Sequence, residues 1–210
     1  MKRPLLTFAT LGLATVLTTT TAHADADVNR FVLSGFGADI TAESADECSS
    51  TIFFVMGQDT VLRQGGPSTP QKAAFLSYWT FDWCAGTTTT GVSSAWDNVN
   101  FSANLNAASL SVTFDVENVT YSDYPAGELQ EWTTTATVNL SWAGTGNIVP
   151  HSDSFNVQIG SLVWSSGSSY QTREADVVLD VNIDGVPASF DSVSGSLSKL
   201  HWSNVMIWRP

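Results

Sequence analysis

One stretch of the chain alternates between apolar and polar side chains more regularly than any other, residues 131–142 with the sequence EWTTTATVNLSW. Trp132, Val138, Leu140 and Trp142 share one parity, whereas the intervening positions are mostly threonine, asparagine and serine. Successive side chains of a strand point to opposite faces, so this pattern predicts a strand with one face on a core and the other in water. The following Ala143-Gly144-Thr145-Gly146 predicts a turn.

Several other segments carry the same kind of signal. Residues 109–119 alternate almost without error, and residues 50–56 form a nearly continuous apolar run that is typical of a buried strand. Residues 73–84 are rich in aromatic side chains, which favour strands. Residues 28–36, 155–164, 173–184 and 197–208 are further predicted strands, with a weaker strand at 96–105, a return strand at 186–190 and a candidate strand at 58–64 that pairs back onto 50–56. Residues 39–47 and 85–91 are predicted loops or turns.

The fold class follows from these short strands and from the lack of an apolar period of 3.6 residues. They predict an all-β protein built as an antiparallel β-sandwich of the Ig-like or jelly-roll-like kind, with a closed β-barrel as the alternative. One domain over residues 25–210 is expected, and a division near residue 105 is the alternative.

The N-terminal segment has the pattern of a secretory signal peptide, with Lys2 and Arg3 before an apolar run at 5–17 and the small-residue pattern Ala22-His23-Ala24. Cleavage after Ala24 predicts a secreted protein, extracellular or periplasmic, and the style of the leader indicates a bacterium. No other apolar segment is long enough to span a membrane, so no transmembrane segment is expected in the mature chain.

The chain is acidic, with a formal net charge of -12. Removing the leader takes Lys2 and Arg3 with it and brings the net charge to about −14. Nucleic acid and anionic membrane surfaces both repel such a protein, so neither is an expected partner.

The chain has 2 cysteines, Cys48 and Cys84. An even number of cysteines behind a signal peptide predicts one disulfide. The chain-entropy estimate for a loop of this length is a stabilisation of about 4 kcal/mol. A pair of buried free thiols is the alternative.

Calcium is the one cofactor that a motif suggests. Asp180, Asn182, Asp184 and Gly185, followed by Asp191, match the start of an EF-hand loop and supply oxygen ligands at alternate positions. A half-buried strand ending in an Asp-Gly hairpin turn explains the same letters, and it is the preferred interpretation.

No catalytic residue is assigned. His151 and His201 are the histidines that remain after cleavage, and no G-x-S-x-G motif accompanies them. Paired carboxylates would permit glycoside hydrolysis. The candidate pairs are Glu128 with Glu131 and Asp115 with Glu117.

The 8 tryptophans suggest sugar binding, because flat aromatic rings stack on pyranose rings. Trp132 and Trp142 are expected in the core, and Trp79 and Trp83 are expected to be buried. The predicted ligand-binding side chains are therefore Trp96, Tyr121 and Tyr124, which lie near turns or weak strands.

Three segments resemble a loose group of uncharacterised secreted bacterial all-β proteins. They are the loop Gln64-Gly65-Gly66-Pro67, the aromatic run that ends at Cys84, and the strand and turn of residues 138–146, which have the form V-x-L-x-W-x-G-T-G. The resemblance implies secretion and an all-β fold, and it implies no activity.

The chain is therefore predicted to be a secreted, non-catalytic binding or structural module, associated with glycan or with the cell envelope. A secreted hydrolase that uses paired carboxylates is one alternative. A pore-forming or adhesion protein is another, because alternating Ser/Thr-rich strands also occur in membrane hairpins. The sequence predicts no oligomeric state.

Overall fold

The computed structural model describes residues 28–64, 67–96, 98–122 and 130–208. The predicted signal peptide, Tyr124 and Glu128 lie outside these ranges. All regular secondary structure within them is β-strand: β1 Val28–Ala45, β2 Ser49–Gln64, β3 Thr69–Asp82, β4 Thr87–Ala95, β5 Asn100–Ala103, β6 Ala107–Ser122, β7 Gln130–Gly144, β8 Val149–Ile159, β9 Leu162–Ile183, β10 Val186–Pro187 and β11 Ser192–Trp208. The all-β prediction is confirmed.

The strands form one antiparallel sheet that closes on itself. Eight of them pair in the order β9, β11, β1, β2, β3, β4, β6 and β7, and β7 pairs back onto β9. The long strand β9 makes this possible, because its second half pairs with β7 while its first half pairs with β8 and β11. Strands β5, β8 and β10 pair outside the ring, so the molecule is barrel-like without being a simple barrel.

The core lies inside the ring and follows the alternation of the sequence. In β6 and β7 every second residue is buried over most of the strand, as the pattern predicted. Trp142 is 2% exposed, and its Nε1 donates a hydrogen bond of 2.9 Å to the carbonyl oxygen of Asp39. The largest fully buried apolar side chains are Phe53, Phe101, Phe114, Ile40, Leu76, Leu110 and Leu197.

Several predicted boundaries are wrong. Strand β1 continues to Ala45 and so includes most of the predicted loop at 39–47, and β4 includes most of the predicted turn at 85–91. In β1 polar residues alternate with small or apolar ones, whereas β4 begins with four threonines, which favour strands because they are β-branched. In both places pairing to neighbouring strands supplies the backbone hydrogen bonds. At Gly160 the chain makes a hairpin turn between β8 and β9, where one continuing strand was expected.

Candidate functional site

Aromatic side chains stand on the outer surface of the ring where β2, β3, β4 and β6 lie side by side. Trp79 and Phe81 of β3 share one face because they are two residues apart. Ile52 pairs with Trp79, and Phe81 reaches Tyr121 of β6 through Thr88 of β4. We call Ile52, Trp79, Phe81 and Tyr121 the aromatic face.

Each member of the aromatic face is substantially open to solvent. The exposed fractions are 36% for Ile52, 41% for Trp79, 41% for Phe81 and 48% for Tyr121. Trp83, which follows at the end of β3, is 56% exposed. A contiguous exposed apolar surface on a sheet is a marker of an interaction site, because solvent-facing strand positions are normally polar.

The expectation that Trp79 and Trp83 are buried is therefore wrong. Both parities of β3 carry large apolar side chains, so alternation alone could not decide which parity faces the core. The neighbouring strand decides it: Leu76 pairs with Val55, and both are fully buried. The opposite parity, with the tryptophans, then has to face outward.

Trp132 is a second departure, since it is 41% exposed although its parity points inward. It lies near the start of β7, opposite Asn118, at the end of the ring where the core stops. Parity fixes the direction of a side chain, and the position along the strand fixes whether anything covers it.

One end of the aromatic face is fixed by the predicted disulfide, which is confirmed. Cys48 and Cys84 are bonded, with their Cα atoms 5.1 Å apart. Trp83 lies beside this bond, and its Nε1 donates a hydrogen bond of 2.8 Å to the carbonyl oxygen of Glu47. The disulfide and this hydrogen bond together hold Trp83 at the edge of the aromatic face.

The turn before Cys48 is ordered by Asp46. Its Oδ1 accepts hydrogen bonds from the amides of Cys48 and Ser49, at 2.8 and 2.6 Å. These amides stabilise the charged carboxylate and lower the pKa of Asp46. The turn is therefore best formed when Asp46 is ionised.

A polar cluster lies on the inner side of the same strands, beneath the aromatic face. Asn118 is 1% exposed, and its Nδ2 donates to the carbonyl oxygens of Val116 and Trp132 and to the Thr134 hydroxyl, at 3.0 to 3.2 Å. The Tyr78 hydroxyl donates to Oδ1 of Asn118. Burial raises the pKa of Tyr78, and the nearby Asp184 carboxylate adds to the rise. Tyr78 thus stays a neutral donor at physiological pH.

The predicted ligand-binding residues do not form one site. Tyr121 belongs to the aromatic face, but Trp96 lies just past the far end of β4. Thr88 lies opposite Tyr121, and Trp96 is eight residues further along the chain, a distance of about 26 Å at the usual rise of a strand. Trp96 is 62% exposed, so it is open to solvent but isolated from the aromatic face.

The predicted calcium ligands occupy a hairpin. Asp184 and Gly185 have φ values of 50° and 84°, which suit the two-residue turn between β9 and β10. Oδ1 of Asp184 accepts the amide of Thr135, and Oδ2 of Asp191 accepts the amide of Ala45. Both carboxylate oxygens therefore accept hydrogen bonds from backbone amides.

The other two candidates lie on the outer side of β9, where Asp180 pairs with Asn139 and Asn182 with Thr137. In the described ranges no group of three or more His, Cys, Asp or Glu side chains is arranged to hold a metal ion. Calcium binding by these residues stays a prediction.

The two histidines lie on opposite faces of the sheet. His151 stacks on Tyr170, with ring centroids 4.4 Å apart. His201 lines an open groove of about 530 Å³ together with serines of β8, β9 and β11. No hydrogen bond joins His201 to a serine within the described part of the chain, so this groove lacks the contact that a nucleophile and its base require.

The described members of the predicted carboxylate pairs are all exposed to solvent. Asp115 and Glu117 are exposed on the outer face of β6, and Glu131 is exposed at the start of β7. A different pair, which the sequence did not suggest, lines a cleft of about 250 Å³: Glu43 of β1 and Asp191. The cleft borders the aromatic face, because Ile52 is in its wall.

No model of a known protein family matches the chain, and no curated protein sequence matches it significantly. The resemblance to secreted bacterial all-β proteins stays a prediction. Within the described residues no helix has the length and apolar character needed to cross a membrane.

Proposed function

We propose that the protein is a secreted, non-catalytic binding module that recognises neutral glycans through the aromatic face. The observation that carries this proposal is the outward display of Trp79, Phe81 and Tyr121 on adjoining strands of a rigid sheet. A soluble protein gains nothing in stability from exposed rings, so their display is best explained by a ligand.

The chemistry of the surface fits a sugar. Aromatic rings offer apolar planes to the C–H faces of pyranoses. The side chains of Thr88 and Thr90 lie on the same face of β4, with Thr88 between Phe81 and Tyr121 and Thr90 beside Trp79. Binding sites combine apolar area with a few polar groups in this way. The rings stand on strands held at both edges, so little conformational entropy is lost on binding.

The negative charge of the protein favours neutral glycans over anionic ones as ligands. The chain carries 20 acidic residues against 8 basic ones, and the charged groups nearest the aromatic face include Glu43 and Glu117. Anionic polysaccharides would be repelled by this surface. Neutral glycans have no such barrier.

The compartment is part of the proposal. A disulfide forms and persists in oxidising compartments, and Cys48–Cys84 is consistent with an extracellular or periplasmic protein. Secretion by the N-terminal leader is supported by the sequence pattern of residues 1–24.

The test is a glycan array probed with the secreted protein, with its first residue checked by mass spectrometry, followed by calorimetric titration of the best ligand. Trp79→Ala and Phe81→Ala should each weaken binding by about tenfold or more, which is ~1.4 kcal/mol. Trp96→Ala is the matched control, because it removes a more exposed tryptophan distant from the aromatic face. An array without neutral glycan ligands, or an equal loss in Trp96→Ala, contradicts the proposal.

Hydrolysis is the second candidate, because the cleft with Glu43 and Asp191 adjoins the aromatic face at Ile52. A surface that holds a glycan chain would deliver it to this cleft, where two carboxyl groups are the minimum for glycoside hydrolysis. Release of reducing sugar from the bound glycan, abolished by both Glu43→Gln and Asp191→Asn, would establish it. Binding without release leaves the non-catalytic module.

A further inference from the structure

The hairpin of β8 and β9 projects beyond the core. Every residue of β8 is exposed, so both of its faces are in solvent. Strand β8 pairs with the first half of β9, the first half of β9 pairs with the end of β11, and the end of β11 pairs with the start of β1. We call residues 28–36, 58–64, 149–172 and 198–208 the extension.

Among the described residues, the far end of the extension is apolar on both faces; Asp27, before Val28, and Arg209, after Trp208, lie outside the described ranges. Ile159, Val28 and Trp208 are 69%, 58% and 56% exposed. On one face Ile159 pairs with Leu162, and Leu162 pairs with Trp208; on the other, Val163 pairs with Ile207, and Ile207 pairs with Val28. We call this end the apolar tip, and the next row adds Val157, Trp164 and Met206.

The charge of the extension differs from that of the rest of the chain. Only Asp59 and Asp153 among the described acidic residues lie in it, and Asp59 pairs with Lys72 at 3.9 Å. Arg30, Arg63 and Lys199 lie on one face of its strands. Arg30 and Arg63 are exposed and have no ion-pair partner in the described ranges.

The spacing places cations directly behind the apolar tip. Arg30 follows Val28 by two residues on the same face, a distance of about 7 Å along a strand. Arg63 pairs with Val32, which lies two residues beyond Arg30 on β1 and on the same face. An anionic membrane has charged headgroups at its surface and apolar chains beneath them. An apolar end with cations a short distance behind it matches this order of layers.

We infer that the apolar tip inserts shallowly into the surface of a bilayer that contains anionic lipid, with Arg30 and Arg63 against the headgroups. A protein partner would cover one face of a sheet. The apolar tip has apolar side chains on both faces, which suits insertion into a bilayer better. Tryptophan is favoured at the membrane interface, which suits Trp164 and Trp208. The acidic remainder of the chain is repelled by the same surface, so the tip enters first.

This inference departs from the expectation that an acidic chain avoids anionic membranes. Net charge describes the whole chain. A membrane surface interacts most strongly with the charged groups of the protein that lie within about one Debye length of it. It is independent of glycan recognition, because the aromatic face and the apolar tip are different surfaces and are tested with different ligands.

The experiment is flotation of the secreted protein with vesicles of phosphatidylcholine, compared with vesicles of equimolar phosphatidylcholine and phosphatidylglycerol. The protein should float with the anionic vesicles at least tenfold more strongly, tryptophan emission should shift to the blue, and high salt should weaken binding. The double variant Ile159→Ser with Trp208→Ser should lose at least tenfold, and Arg30→Glu with Arg63→Glu should abolish the preference for anionic lipid.

Val178→Ser is the matched control, since Val178 is 72% exposed on β9 outside the extension. It should float as the unchanged protein does, and all variants should keep the same circular dichroism and urea midpoint. No flotation, equal flotation with neutral vesicles, or flotation that survives the tip variant overturns the inference. A dimer in light scattering that the tip variant dissociates, without flotation, also overturns it and assigns the tip to a second copy of the chain.

Discussion

Phe101 of β5 occupies the space in which a side chain at Gly57 of β2 would lie. A methyl group at Gly57 would be 2.6 Å from Cδ2 of Phe101, and Phe101 itself is fully buried. Among the described strands β5 pairs with β6 alone, so this contact ties the short strand to the opposite wall of the ring.

Replacing Gly57 with alanine should therefore destabilise the protein. The methyl group has no free volume to enter, and overpacking of a core usually costs about 1 to 3 kcal/mol. Urea unfolding followed by circular dichroism measures the free energy of unfolding. Gly167→Ala is the control, because a methyl group there meets nothing closer than the Ser203 hydroxyl at 3.7 Å. Equal effects of the two substitutions would show that Phe101 moves aside freely.

Asn118 should be one of the least replaceable polar residues of the core. Asn118→Ala leaves the Tyr78 hydroxyl and the Thr134 hydroxyl without their partner and opens a small cavity. Unsatisfied buried groups and lost volume together should lower the free energy of unfolding by about 2 to 4 kcal/mol. Asn139→Ala, on the exposed face of β7, is the control and should have a small effect.

A double-mutant cycle tests whether Tyr78 and Asn118 act together. Tyr78→Phe removes only the hydroxyl, and its cost should be smaller in the Asn118→Ala background than in the unchanged protein. Additive costs would mean that the hydrogen bond between them contributes little.

How far the sequence predicted the fold can be judged strand by strand. Residues 131–142 were assigned correctly, because Val138, Leu140 and Trp142 alternate with hydrophilic side chains and leave one choice of inner face. The Asp184–Gly185 turn was equally clear, because few residues other than Asp, Asn and Gly accept positive φ in succession.

The aromatic face could not be predicted for a reason that applies to all of β3. Both parities of that strand are apolar, so the choice between burying Trp79 and burying Leu76 depends on which parity of β2 faces the ring. That is a property of strand pairing. The apolar tip was missed because Gly160 was interpreted as an interruption within one strand, and its turn is what places Ile159 beside Leu162.

Asp39 should make the stability of the protein depend on pH in the acidic range. Burial raises the pKa of Asp39, and the hydrogen bond of 2.6 Å from the Ser196 hydroxyl opposes this rise only in part. The folded state then holds this proton more tightly than the unfolded state. The contribution of Asp39 to stability is present below the unfolded pKa and is lost as pH rises through the folded pKa.

Asp39→Asn should therefore raise the free energy of unfolding at neutral pH, since the amide avoids the buried charge and still accepts from Ser196. The gain should shrink as the pH falls through the raised pKa of folded Asp39, and it should be gone below 3.8, the ordinary value for aspartate. Urea unfolding at a series of pH values measures both effects. Asp115→Asn, at an exposed position of β6, is the control. A gain that does not change with pH would rule out the buried charge as its cause.

Loss of the disulfide should weaken the whole protein and disturb one edge of the aromatic face. The double variant Cys48→Ala with Cys84→Ala releases a loop of 36 residues, and the chain-entropy estimate for the loss is about 4 kcal/mol. Trp83 depends on the turn at Cys48 for its position, but Trp79 is held by the pairing of β2 and β3. The cysteine variant should thus unfold at lower urea and lose as much glycan affinity as Trp83→Ala, but less than Trp79→Ala. A loss as large as that of Trp79→Ala would mean that the disulfide positions the entire aromatic face.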